Sequence, residues 1–208
     1  ADSRQMPYDI FIPLEKLNKA NDGDKVIVKI TDWPQRAKNP FGEIMEILGI
    51  PGENETEMHA ILAEFGLPYK FSDEVEQAAE LIPEKIPDSE YKQRRDFRSV
   101  LTFTIDPEDA KDFDDAVSIE ELENGNYKVG IHIADVAHYV SNNKSIFEEA
   151  YKRGTSIYFV GKVIPMLPEH LSNTICSLVP NKDRLSYSVI VELTKRCKIV
   201  NYSIRKSF

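Results

Sequence analysis

Six of the ten residues 106–115 are acidic: Asp106, Glu108, Asp109, Asp112, Asp114 and Asp115. An apolar run leads in through Val100, Leu101, Phe103 and Ile105, and another leads out through Ala116, Val117 and Ile119. The acids therefore sit in a loop pinned at both ends by strands. Crowded carboxylates repel one another and their pKa values rise unless a cation or a proton intervenes. Hard oxygen donors favour Mg²⁺, Mn²⁺ or Ca²⁺ over softer metals. Two Mg²⁺ ions held by shared carboxylates would suit phosphodiester hydrolysis. A solvated acidic loop is the plain alternative, and the flanking strands and Phe113 speak against it. An EF-hand fails, because from Asp112 the fifth position is Ala116 and the required glycine is Val117. Asp112-Phe113-Asp114 matches the metal loop of a sugar transferase, but no βαβ units precede it.

The 208 residues have room for one large domain or two smaller ones. A hydrophobic fraction of 41% with 29% charged residues fits a globular chain and not a disordered one. No run approaches the roughly 18 apolar residues of a membrane span. Residues 1–5 lack the apolar segment of a signal peptide, so a cytoplasmic protein, or an internal piece of one, is expected. Two cysteines, Cys176 and Cys197, suggest reduced core residues and no zinc pattern. The net charge of −9 argues against simple phosphate coating. It is uneven, however: residues 53–98 hold 12 acids and 6 bases, and residues 151–208 hold 10 bases and 3 acids. Acids for a cation followed by bases for phosphates is an arrangement that a metal-dependent nuclease needs.

Three strands are expected before residue 50: Tyr8 to Ile12, Lys25 to Ile30 and Gly42 to Leu48, bounded by proline and glycine. They suggest part of a small barrel. Residues 53–98 read as a helical connector. Asn54 is the expected N-cap of one helix, with Glu57 at the capping-box position and Gly66 as its stop. Ser72 caps the next helix, which ends before Pro83. From Ser99 a buried strand through Val100 and Ile105 is expected, then a hairpin turning at Asn124-Gly125. Helices over residues 146–153 and 168–177 and late strands over 185–193 and 198–204 complete the reading.

At residues 104–117, Thr-Ile-Asp-Pro-Glu-Asp-Ala-Lys-Asp-Phe-Asp-Asp-Ala-Val, the chain resembles the ribonuclease II/ribonuclease R family of RNB-domain exoribonucleases, nearest its bacterial ribonuclease R branch. Further pieces of the family pattern follow in order. They are residues 133–136 (Ile-Ala-Asp-Val), 153–159 (Arg-Gly-Thr-Ser-Ile-Tyr-Phe), 163–169, 171–173, 176–178 (Cys-Ser-Leu) and 183–185 (Asp-Arg-Leu). The resemblance implies an α+β chain. Residues 1–52 would be the later part of a cold-shock (OB-type) barrel, 53–98 a connector, and 99–208 the first part of a mixed α/β RNB catalytic domain. It implies processive 3′→5′ hydrolysis of RNA to nucleoside 5′-monophosphates with Mg²⁺, or Mn²⁺ in its place. Asp106, Asp112 and Asp115 would bind metal, and Asp114 would orient the 3′ end and assist catalysis. Tyr158 would stack on a base, and stacking tolerates any sequence. The implied partners are single-stranded and structured RNA, together with ribosome-associated or degradation-complex proteins, with no membrane. The family's catalytic domain runs about twice as far beyond residue 99, so the chain alone is expected to be poorly active.

Other residues have open readings. Arg153, Lys162, Lys182 and Arg184 are candidate phosphate contacts, with Arg184 the expected substrate-binding residue, although each singly is more often a solvated surface charge. Asp135 either supports the site from behind or caps a strand end. His132 and His138 bracket it and read as a strand-face and a loop histidine, since two-metal hydrolysis needs neither. Trp33 and Phe41 suit RNA stacking or packing. A non-catalytic RNA-binding module is the alternative function, distinguished by indifference to metal.

Overall fold

The computed structural model describes residues 6–159 and 161–208. It divides into two compact units, one ending at Lys70 and the other beginning at Phe71.

In the first unit, β1 (Lys25–Asp32) and β2 (Phe41–Gly49) pair antiparallel. The expected strand from Tyr8 to Ile12 is absent: only Phe11 bridges to Phe41. Pro7 and Pro13 flank this segment, and a proline has no N–H to offer a ladder. Two strands and a bridge make an open ribbon and not a closed barrel among the described residues. Helix α1 (Asn54–Glu64) packs on β2 and buries Thr56, Met58 and Leu62. Its N-cap is Glu53, one residue earlier than expected, and Asn54 lies inside the first turn. Glu57 nonetheless reaches back, accepting the Gly52 N–H at 2.9 Å. Gly66 ends the helix with a positive φ of 64°.

The second unit begins with α2 (Asp73–Glu80), capped by Ser72 Oγ as the sequence predicts, and α3 (Asp88–Gln93). A five-stranded antiparallel sheet follows in the order β3-β4-β5-β8-β9. These strands are β3 (Thr102–Phe103), β4 (Asp115–Glu121), β5 (Tyr127–Ala134), β8 (Ser186–Leu193) and β9 (Ile199–Ser207). Between β5 and β8 come α4 (Val136–Val140), α5 (Lys144–Arg153), the small hairpin of β6 (Ile157–Phe159) and β7 (Lys162–Ile164), and a π-helical turn, His170–Ile175. The Asn124-Gly125 turn joins β4 to β5 as expected, with Gly125 at φ 75°. Gly154 closes α5 in the left-handed conformation. The segment expected as an α-helix over 168–177 winds more widely: Cys176 N–H donates to Leu171 C=O at 2.8 Å, five residues back.

The buried strand expected through Val100 and Ile105 is a correction. Only two residues pair, at the sheet edge, and Leu101, Phe103 and Ile105 are exposed. Period-2 alternation specifies a shared face; it does not supply a layer to cover it.

The apolar core of this unit gathers Val75 and Ala79 of α2, Ala134 at the end of β5, Val140, Ile146, Leu171, Ile175 and Cys176. Apart from Ala116 and Ile190, the rest of the sheet's buried face is polar or glycine. His132 lies between Ser188 Oγ (2.6 Å from Nδ1) and Ser118 Oγ (2.8 Å from Nε2). Gly130 is required beside it, since a Cβ there would lie 2.6 Å from His132 Nε2. Burial pushes the His132 pKa down. The folded state therefore resists a proton that the unfolded chain takes up below about pH 6.5. Unfolding free energy measured in urea is expected to hold steady from pH 8 to about 6.5 and then fall. The decline between pH 6.5 and 5 should be shallower in His132→Gln; an equal slope in both would refute the assignment.

Candidate active site

The acidic loop spans the gap between β3 and β4, and its backbone is tied down at several points. Ala134 N–H, at the end of β5, donates to Asp114 C=O at 2.9 Å. Ser177, which follows the π-helical turn, accepts the Phe113 N–H at 3.0 Å and donates to Lys111 C=O at 2.7 Å. Leu178 N–H donates to Phe113 C=O at 2.9 Å. Proximity in sequence supplies the acids, and these bonds decide where they point.

Asp106, Asp112 and Asp115 are all brought within electrostatic reach of Asp114. The Asp114 carboxyl is raised above the usual carboxylate range, first by the neighbouring atoms that crowd out water and then by the charges of Asp112, Asp115 and Asp106. Asp114 itself keeps an open side to solvent, as do Asp106 and Asp115, while Asp112 is half-buried. Glu108 and Asp109 do not contribute to that shift. No side-chain ion pair or hydrogen bond among the described residues offsets the four charges. No three His, Cys, Asp or Glu side chains among the described residues close into a ready metal cage. The donor set is all carboxylate oxygen and its charge is uncompensated, which suits a hard divalent cation that bridges open ligands with water. In chelator, Asp114→Asn should raise the thermal midpoint slightly, because it removes one member of a repelling group. A clear fall in the midpoint would show that Asp114 is held by favourable contacts instead.

Tyr158 stands on β6 and is 68% exposed. Burial raises its pKa, and so do the charges of Asp112 and Asp114. The phenol is therefore within electrostatic reach of Asp112 and Asp114, and so exposed a residue is not a core tyrosine. Arg184 is half-buried. Its Nε donates to Ser177 C=O at 3.1 Å and its Nη1 to Asp183 C=O at 3.3 Å. Arg153 differs from the expected phosphate contact: its side chain is 3% exposed, pairs with Glu149 at 2.8 Å and lies over the Phe71 ring at 3.6 Å. Lys182 is exposed and Lys162 half-buried.

Sequence reasoning missed Arg94. Its side chain is fully buried, with Nε 2.7 Å from Glu90 Oε2 and Nη1 2.7 Å from Asp135 Oδ2. The second contact is an ion pair without hydrogen-bond alignment. Nη2 lies 3.4 Å from His138 Nδ1, on α4. Asp135 is thus committed to Arg94 and makes no cap bond to α4. Ser177 was also missed as a tether. It belongs to the Cys-Ser-Leu run at residues 176–178, but nothing in that run indicates a bond to residues more than sixty positions earlier.

Residues 94–208 match the family model of the RNB domain, and residues 1–72 match that of the cold shock domain. Ribonuclease R of Thermotoga maritima is 41% identical over 208 residues, covering 99% of this chain and 29% of the relative. The structure of Mycoplasma genitalium RNase R in complex with double-stranded RNA superposes with a TM-score of 0.85 at 26% identity, covering 97% of this chain and 36% of that one. The same enzyme in complex with ribose methylated single-stranded RNA gives 0.85 and 26%, covering 97% and 31%. The chain spans less than a third of the length of the curated relatives it matches. Among the described residues no helix is long and apolar enough to cross a membrane.

Proposed function

The chain belongs to the RNB-domain family, and on that premise we propose that it supplies the acidic half of the active site of a 3′→5′ exoribonuclease. The reaction is processive hydrolysis of RNA to nucleoside 5′-monophosphates, with Mg²⁺, or Mn²⁺ in its place. The observation that supports this reading is that Asp106, Asp112 and Asp115 all act electrostatically on Asp114, with no compensating cation from the described residues, and that the exposed Tyr158 is within electrostatic reach of Asp112 and Asp114.

Asp106, Asp112 and Asp115 would hold the cations, directly or through water. When bound, divalent cations supply charge neutralisation at the phosphate and a more acidic attacking water. Asp114 would orient the 3′ end. Tyr158 offers an aromatic face on which any terminal base can stack, consistent with degradation regardless of sequence. Arg184 keeps Nη2 unclaimed by any described residue and would offer it to a phosphate. The RNA complexes of the Mycoplasma relative support RNA, single-stranded or paired, as the substrate class. Residues 1–52 would be the barrel portion that guides RNA, 53–98 the connector and 99–208 the catalytic portion. A cytoplasmic setting, and ribosome-associated or degradation-complex proteins as partners, accord with that role.

Two measurements test this. Mg²⁺ at about 100 times its Kd should stabilise the chain by about 2.7 kcal/mol, and Asp112→Asn should abolish the gain. An unchanged gain would place the cation elsewhere. In a protein of the relatives' full length that contains this chain, Asp114→Asn should slow release of nucleoside monophosphates from single-stranded RNA by about 10²-fold or more. Wild-type rates in that variant, or RNA binding with no metal effect and no turnover, would favour a non-catalytic RNA-binding module.

A further inference from the structure

Ser177 makes an arrangement that the four aspartates alone do not explain. Its hydroxyl is 1% exposed as a residue and bonds to the peptides on both sides of Asp112. It accepts from Phe113 N–H at 3.0 Å and donates to Lys111 C=O at 2.7 Å. A hydroxyl has one hydrogen and two lone pairs, so its single proton goes to the carbonyl before Asp112 and one lone pair to the amide after it. The neighbouring Leu178 N–H adds a bond to Phe113 C=O at 2.9 Å. Ser177's own carbonyl is held in turn by Arg184 Nε at 3.1 Å. Asp112, by contrast, makes no side-chain hydrogen bond to any described residue. Its direction is set through its backbone and not through its carboxylate.

We propose that Ser177 is a positioning residue that bends the loop around Asp112 and holds that carboxylate in the cation site, with Arg184 bracing Ser177 from behind. This rests on the cation-site reading given above. Like charges left to relax would spread apart, and a backbone brace opposes that without occupying a ligand oxygen. Outer groups that orient ligands in this way typically set metal affinity without touching the metal.

The test is Mn²⁺ binding to the 208-residue chain, followed by electron paramagnetic resonance of the free ion, with thermal melting as the folding control. Ser177→Ala should bind Mn²⁺ about 10–100-fold more weakly. Ser177→Thr keeps the hydroxyl and should bind nearly as wild type. Ser207→Ala removes a different buried hydroxyl, one bonded to Ser186 and Ser188; it should lower the melting point and leave Mn²⁺ affinity unchanged. Unchanged affinity in Ser177→Ala overturns the proposal while leaving the cation site standing. Equal losses in Ser177→Ala and Ser207→Ala also overturn it, since loosening alone would then account for the effect. Should the wild-type chain bind no Mn²⁺, the cation-site reading fails, and the role of Ser177 fails with it.

Discussion

The restraint of like charges governs the second unit. Three aspartates within electrostatic reach of Asp114 are unfavourable in the absence of a cation, so the fold must hold them by other means. It does so through the backbone: Ala134 at the end of β5 grips Asp114, and Ser177 and Leu178 grip the stretch from Lys111 to Phe113. Each hydrogen bond contributes only about 1 kcal/mol net. They act together because Ala134, Ser177 and Leu178, which grip the loop, sit on or directly after elements already ordered by packing. Ala134 and the π-helical turn that delivers Ser177 both belong to the apolar core around Leu171 and Ile175.

The sheet serves this arrangement with unlike faces. Its buried face carries Ile190 and, beside it, Ala116, Ser118, Gly130, His132, Ser186, Ser188 and Ser207, small or polar groups whose hydrogen bonds are largely closed among themselves. Arg94 extends the network to Asp135, the residue next to the Ala134 tether. Buried charges are costly unless paired. Here the guanidinium meets two carboxylates, Glu90 and Asp135, and the Ser186 carbonyl. The opposite face presents Ile119, Ile131, Ile133 and Ile204 to solvent, and the strand register aligns Ile131 with Val117 and Val189 in one row.

Much of the local structure was legible. The Asn124-Gly125 hairpin, the Ser72 cap and the Gly66 and Gly154 helix ends follow from backbone chemistry that acts within a few residues. The errors share one origin. The segment from Tyr8 to Ile12 has strand composition, yet its flanking prolines leave a single bridge to Phe41. The run through Val100 and Ile105 alternates like a half-buried strand, yet pairs over two residues and stays exposed. Whether a strand forms depends on a partner far away in the chain, and periodicity carries no record of that partner.

The same division applies to the site. By itself the sequence determined that residues 106–115 would be a charged loop between strands, because carboxylates so close in the chain remain close in any fold. It also placed Tyr158 among the residues of interest through the family pattern. Only the tertiary structure decided that Asp112, Asp115 and Asp106 all act on Asp114, that Tyr158 comes within electrostatic reach of Asp112 and Asp114, that Arg153 lies buried against Phe71 and that Arg94 pairs with Asp135. The physical reason is range. Charge density and turn chemistry act over a few residues, whereas a buried ion pair or a hydroxyl between two distant peptides exists only after the core has brought its partners together.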